Sequence, residues 1–389
     1  MRYALALCRG MDSTAGWTNA YMSLSLEAVS RVVANETHLD QISLTLDPGS
    51  FNVLLGRTLA GKTSLMRLMA GLDRPSSGRI LMSGEDVTER GVRQRNVSMV
   101  YQQFINYPHQ TVFDNIASPL KIARVPRDEI QARVHEVAKL LHIEHLLERM
   151  PLELSGGQQQ RTAMARALVK DADLVLFDEP LVNLDYKLRE EFREELGTLF
   201  ASRDCIAVYA TTEPAEALAL GGHTAILHEG RLIQYGPTPE VYRQPMSLTA
   251  AEMFSEPPIN VLDGYIRGRE VTFDEDVHFP LDEALSALAE GHYRFGVRPS
   301  HLALERQAVD DLVLDVQVDL AEISGSETFL HVHNDKVSLV AHLAGVHSFA
   351  VDQQVSLYFP VHGLYAFDDS GATVHAPDAS PSAGSRGGK

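Results

Sequence analysis

From Met22 the string MSLSLEAVS alternates apolar and polar residues, the period of a strand with one buried face. Residues 43–46 alternate again and stop at Asp47-Pro48-Gly49, a turn expected to return the chain antiparallel. Phe51, Val53, Leu54 and Leu55 make a short apolar strand that ends at Gly56. Leu65, Met66, Leu68 and Met69 then recur at helical spacing. Turns at Asp73-Arg74-Pro75 and Ser76-Ser77-Gly78 precede a strand at 79–82, and the apolar run 97–101 predicts a buried strand. Ile130, Val134, Val137 and Leu141 form one face of a helix within 127–147, so a helical insertion interrupts the α/β pattern. Residues 174–177 and 206–210 are continuous apolar runs, as in strands buried on both faces of a parallel sheet. Between them Leu188, Phe192, Leu196 and Leu199 stripe a helix. The runs 223–228 and 231–235 flank Glu229-Gly230, a hairpin signal.

The pattern changes at Gly236. Pro237, Pro239, Pro245, Pro257 and Pro258 mark a connecting region with one short helix. Beyond Asn260 come short alternating strands at 313–318, 328–332, 337–340 and 355–359, which predict a small all-β, barrel-like domain. The expected organisation is therefore an extension at 1–22, an α/β domain at 23–238 with a helical subdomain at about 103–170, and a linker with a β-domain at 239–370. The Ser/Gly/Ala/Asp-rich stretch 371–389 reads as a disordered tail. Residues 1–21 join no periodic element, and Met22 reads as the natural start.

Composition changes this picture in four ways. The chain has 389 residues, enough for two or three domains, with 44% hydrophobic residues. A net charge of −18 argues against a primary role on nucleic acid or an anionic membrane surface. Only two cysteines, Cys8 and Cys205, leave no disulfide scaffold. No window approaches the roughly 20 apolar residues of a membrane span, so membrane contact is expected to pass through another protein.

The chemistry begins in LLGRTLAGKTSLMRLMA. Gly56, Arg57, Thr58, Leu59, Ala60, Gly61, Lys62, Thr63 and Ser64 hold the spacing G-x-x-x-x-G-K-[ST] between a strand and a helix. Backbone N–H groups of such a loop converge on phosphates, the lysine adds a point charge, and the Thr63 hydroxyl can ligate Mg²⁺. The bland alternative is a glycine-rich turn with a solvated lysine. LVLFDEP places Asp178 and Glu179 at the end of a buried strand, where one acid can hold Mg²⁺ and the other polarise a water. Alone, such a pair is more often a solvated strand end. In LSGGQQQR, Ser155 can cap a helix, while Gly156 and Gly157 let backbone N–H groups approach a phosphate.

With that string in place, residues 23–370 resemble the ATP-binding subunit of a bacterial ABC importer. The resemblance implies an α/β P-loop core with a helical subdomain and a small all-β, OB-like regulatory domain. It implies ATP and Mg²⁺ as ligands, held by the phosphate loop, Thr63, Asp178 and Gln102, the lid glutamine. Glu179 becomes the water-activating residue. Ser155, Gly156, Gly157 and Gln158 complete the site of a second, head-to-tail cassette, and Asp185 lies in the loop crossing that interface. Phe104 to His109 resemble the groove that receives a coupling helix from a membrane subunit. INVLDG, GVRPSHL and SGSETFLHV resemble the regulatory domain of the carbohydrate branch, and GRTLAGKTSLMRLMAGLD resembles an ATP-binding subunit of the bacterial glycerol importer. The implied partners are two permease subunits, a paralogous ATP-binding subunit and, indirectly, a solute-binding protein, at the cytoplasmic face of the inner membrane.

Four positions depart from the family pattern. The branch has a proline where Arg57 stands and a glycine where Leu59 stands. Thr212 aligns with a histidine that contacts the γ-phosphate, and Val33 falls near the adenine-stacking aromatic. The last two, at Thr212 and Val33, imply a slow site on this chain and a heterodimer with a complete paralogue. Two other readings compete: a soluble ABC protein of repair or translation, against which the single cassette and acidic charge count, and a mainly regulatory ATP-binding module, which ATP hydrolysis by the purified protein would exclude. His135, His142, His145, His331 and His333 read as exposed polar positions, since no set of metal-ligand spacing completes them.

Overall fold

The computed structural model describes residues 23–103, 105–181, 186–201, 203–273, 277–281 and 285–377. The extension at 1–22, Phe104, Asp185 and residues 378–389 lie outside the described residues. The alternation after Met22 becomes β1 (Leu24–Val33), paired antiparallel with β2 (Glu36–Leu46) through Ala34 and Asn35, both at positive φ. The turn Asp47-Pro48-Gly49 does not return the chain antiparallel. It carries the chain into a different sheet, where β3 (Phe51–Leu55) pairs parallel with two later strands. Alternation in β2 and continuous burial in β3 are the physical difference: β3 needs cover on both faces and finds it inside a parallel sheet.

Helix α1 (Lys62–Ala70) follows and buries Leu65, Met66, Leu68 and Met69, closing at Gly71 in the left-handed region. Strands β4 (Ser77–Met82) and β5 (Glu85–Asp86) extend the first sheet to the order β2-β1-β4-β5. After β6 (Val97–Val100) come three helices, α2 (Val112–Ile122), α3 (Arg127–Leu140) and α4 (Gly156–Leu168). The sequence reading missed α2, whose pattern is interrupted by Pro119; the helix nonetheless begins on a Thr111 cap that accepts from the Asp114 N–H at 3.1 Å.

Strand β7 (Leu174–Asp178), helix α5 (Tyr186–Ala201), β8 (Ile206–Thr211), α6 (Pro214–Leu220), β9 (His223–His228) and β10 (Arg231–Pro237) complete the nucleotide-binding half. The sheet order is β10-β9-β3-β8-β7-β6, all parallel except the β9–β10 hairpin turned by Glu229 and Gly230. Its two faces feed different cores. Leu174, Leu176, Ile206 and Val208 pack toward α1 and the first sheet, whereas Val175, Phe177, Ala207 and Tyr209 pack with α2 to α5. The strand ends carrying chemistry are thus clamped from both sides.

Helices α7 (Thr238–Arg243) and α8 (Leu248–Met253) form the connection and pack with β3, α6 and β9. The all-β half follows as β11 (Asn260–Arg267), β12 (Glu270–Phe273), β13 (Val277–Pro280), β14 (Gly291–Val297), β15 (Leu312–Ser324), β16 (Glu327–His333), β17 (Ser338–Ala344), β18 (Gln354–Phe359), β19 (Tyr365–Phe367) and β20 (Thr373–His375). Two sheets, β13-β12-β11-β14-β19-β20 and β17-β16-β15-β18, share one core. Strand β20 lies inside the stretch expected as tail from 371. The Thr373 N–H and hydroxyl bond the carbonyls of Met246 and Pro245, which orders a segment too polar to be recognised from composition. Among the described residues no helix is long and apolar enough to cross a membrane.

Candidate functional site

The stop after β3 is enforced by Gly56. A Cβ there would lie 2.4 Å from the Leu227 carbonyl oxygen, so only glycine lets the loop pass against β9. Gly61 caps α1 at φ 101°, a conformation glycine adopts without strain. Leu59 holds φ 69° without that freedom, and its side chain is 96% exposed. Arg57 and Thr58 are exposed on the same loop, Ala60 is buried beneath it, and Ser64 starts the helix beside Thr63.

Lys62 is only 4% exposed. Its ammonium donates to the carbonyls of Gly56 at 2.7 Å and Arg57 at 3.2 Å, and pairs with the Glu179 carboxylate at 3.2 Å. The Thr63 hydroxyl donates to Asp178 at 3.0 Å, and the Gln102 amide donates to the other oxygen of Glu179 at 3.1 Å. Three separate stretches of sequence therefore meet in one bonded set. Burial pushes the Asp178 carboxyl up, and the neighbouring Glu179 charge adds to it; the Thr63 hydroxyl and Lys62 oppose them. Glu179 sits at φ 47°, its N–H bonded to the Ala210 carbonyl, so the strand end is bent to present the carboxylate. Thr63, Asp178 and Gln102 offer only oxygen-bearing side chains, a donor set that fits Mg²⁺.

Thr212 is exposed directly after β8. The Thr211 carbonyl accepts from the Gly56 N–H at 3.3 Å, which fixes the turn carrying Thr212 against the phosphate loop. Beneath it lies a buried cluster the sequence reading missed. Glu216 accepts from the Thr211 hydroxyl at 2.6 Å and the Tyr209 hydroxyl at 3.0 Å, while Thr211 accepts from the Glu213 N–H. Burial is the main cause that raises the Glu216 carboxyl and sends the Tyr209 phenol well above its usual range. The acid in PAEAL, flanked by alanines, is the only local hint of it.

Ser155, Gly156, Gly157 and Gln158 open α4. Ser155 accepts from the Gln158 N–H, and the Gln158 side chain accepts from the Ser155 N–H, a reciprocal cap. These bonds stay within the turn and do not reach the phosphate loop. Nothing lies within 4 Å of a Cβ built on Gly156, so the fold of this chain does not require glycine there. Val33 is 39% exposed at the end of β1 and offers aliphatic surface only. In the loop after Gln102, Ile105 and Tyr107 are 62% and 46% exposed. The buried Asn115 side chain bonds the Tyr107 N–H and carbonyl, and the Arg166 guanidinium lies 4.9 Å over the Tyr107 ring. A cavity of about 820 Å³ between Arg133, Val169 and Cys205 holds none of these groups. Donor chemistry, rather than volume, locates the site. Among the described residues no histidine, cysteine and carboxylate cluster forms a metal cage.

Comparisons with known proteins agree with this geometry. The ABC transporter family model matches residues 39–182. The chain is 36% identical over 354 residues to an sn-glycerol-3-phosphate import ATP-binding protein of Escherichia coli O157:H7, covering 89% of this chain and 97% of that protein. It is 37% identical over 357 residues to a trehalose/maltose import ATP-binding protein of Thermococcus litoralis, covering 87% and 96%. Among solved structures it resembles the ATP-binding cassette MJ0796, a dimer in a post-hydrolysis state bound to ADP and Pi, with TM-score 0.51 and 25% identity over 55% of this chain and 98% of that one.

Proposed function

The chain belongs to the ATP-binding subunits of carbohydrate-type ABC importers, and from that premise we propose that its ATP hydrolysis energises uptake of a glycerol-like polyol, sugar or glycerol phosphate through separate permease subunits. The observation that carries the reading is the bonded set Lys62–Glu179–Gln102 beside Thr63–Asp178. Glycerol is favoured by the resemblance of the loop string GRTLAGKTSLMRLMAGLD to an ATP-binding subunit of the bacterial glycerol importer.

In the proposed reaction the N–H groups at the start of α1 and the Lys62 ammonium hold the phosphates. Lys62 exchanges the Glu179 carboxylate, with the carbonyls of Gly56 and Arg57, for phosphate oxygens, which frees Glu179 from its ion pair. Glu179 then takes a proton from the attacking water as its oxygen bonds the terminal phosphorus and the bond from that phosphorus to the leaving ADP oxygen breaks; Gln102 keeps the carboxylate aimed. Mg²⁺, when bound, supplies charge neutralisation to the phosphate oxygens, with Thr63, Asp178 and Gln102 as its candidate ligands.

Ser155-Gly156-Gly157-Gln158 are assigned to the opposite cassette's site, because the cap bonds of the signature turn stay within it and Gly156 is open to approach; Asp185 is assigned there from the resemblance alone. The exposed Ile105 and Tyr107, held by Asn115 and Arg166, are the proposed seat of a permease helix at the cytoplasmic face of the membrane. Thr212 and Val33 support a slow site on this chain. The sequence-based expectation of a paralogous partner gains nothing from the relatives, whose names describe single import ATP-binding proteins; the reading needs only a second cassette.

The test is ATP turnover by the purified protein, alone and assembled with its permeases. Lys62→Ala is expected to abolish nucleotide binding at this chain's loop, and Thr212→His to raise turnover. Turnover unaffected by Lys62→Ala in every assembly would reject the site.

A further inference from the structure

We propose that the Arg57 side chain is the second cation of the phosphate site, recognising the terminal phosphate of ATP at the place where Thr212 can offer only a neutral hydroxyl. The inference rests on the proposed phosphate-binding role of the loop and assigns a side chain to it.

Charge is the first ground. Lys62 is already shared between two carbonyls and the Glu179 carboxylate, and Asp178 stands beside it. A triphosphate adds several negative charges to a site whose two acids leave no net positive balance. Mg²⁺, when bound, offsets part of this charge; a second side-chain cation would offset more, and Arg57 is the candidate the loop supplies.

Geometry is the second. Arg57 is exposed and makes no ion pair or side-chain hydrogen bond among the described residues. Its backbone is fixed: its carbonyl accepts from Lys62 and from the Ala60 N–H, and its neighbour Gly56 is bonded to Thr211. Arg57 and Thr212 therefore stand on two adjacent, hydrogen-bonded stalks. Both line one cleft of about 240 Å³, together with Gly56 and the linker residues Glu252, Glu256 and Pro258. The two linker carboxylates lie in the same cleft without holding the guanidinium in an ion pair. A long, mobile arm carrying a planar fork of five donors can turn from that cleft to the terminal phosphate oxygens. ADP lacks those oxygens, so the arm discriminates ATP from ADP rather than strengthening nucleotide binding in general.

The experiment is titration of the full-length protein with Mg-ATP and Mg-ADP, in a Glu179→Gln background that keeps ATP uncleaved, with dissociation constants read by calorimetry. Arg57→Ala is expected to weaken ATP about tenfold, the scale of one lost charge-assisted contact, and leave ADP unchanged. Arg57→Lys should retain part of the preference. Adding Thr212→His to Arg57→Ala should restore part of it below about pH 6.5, where the imidazole is protonated and a cation returns to the neighbouring stalk. Equal weakening of both nucleotides, or of neither, would overturn the role of Arg57 while leaving the phosphate site standing. Failure of the parent protein to bind either nucleotide would overturn both.

Discussion

At the scale of single residues, the site is decided by which charged side chains are held and which are free. Lys62 is held inward, Arg57 makes no ion pair or side-chain hydrogen bond among the described residues, and Glu216 is buried under the turn that carries Thr212. Glu216 provides a test with a definite sign. Its folded-state carboxyl is raised, chiefly by burial, with Glu213 adding to the rise; Thr211, Tyr209 and Arg193 pull it down. A raised carboxyl stabilises the fold while it is protonated, and that contribution is lost as pH rises from the ordinary carboxylate value through the raised one. Glu216→Gln keeps an acceptor for both hydroxyls and never ionises. Its melting temperature should exceed the parent's by about 2 °C or more at pH 7.5 and match it near pH 4.5. A gain that does not grow with pH would contradict the burial argument.

At the scale of elements, two glycines separate fold from function. Gly56→Ala forces a methyl to 2.4 Å from a backbone oxygen of β9, where no side chain can yield. That variant should lose about 3 kcal/mol or more, visible as a large drop in denaturation midpoint, and nucleotide binding with it. Gly156→Ala places its methyl in open space. It should melt like the parent yet impair turnover once two cassettes assemble. The loop after Gln102 is a third element with a separable role. Tyr107 keeps its backbone through Asn115 whatever its side chain, so Tyr107→Ala should bind ATP normally and uncouple hydrolysis from uptake. Normal solute uptake by that variant would reject the docking seat.

At the scale of the whole molecule, Arg298 joins the halves. It is 3% exposed, donates to the carbonyls of Tyr242 at 2.6 Å and Phe254 at 3.3 Å, and lies 3.9 Å over the Tyr242 ring. Arg298→Ala leaves two carbonyls unpaired and should cost about 2–3 kcal/mol. Limited proteolysis should then cut within 255–259, releasing the β-half as a fragment. Protease resistance equal to the parent's would show that other contacts, such as Thr373 to Pro245, suffice.

The sequence by itself determined the elements whose signal is local. The phosphate loop, the strand ending in Asp178-Glu179 and the capped start of α4 were legible because residue type, spacing and backbone conformation coincide within a few positions. The late strands β15 to β18 were legible from alternation alone. Signals that arise between distant segments were not. Asp47-Pro48-Gly49 looks like a hairpin turn but crosses between sheets, because β3 must be covered on both faces. Helix α2 hides behind Pro119, and β20 behind a composition that only bonding to Pro245 and Met246 makes orderly. The ion pair of Lys62 with Glu179, the burial of Glu216 and the common cleft of Arg57 and Thr212 exist only once β3, β7 and β8 lie side by side. Local backbone preference names the chemical groups; parallel pairing of strands far apart in sequence decides which of them meet.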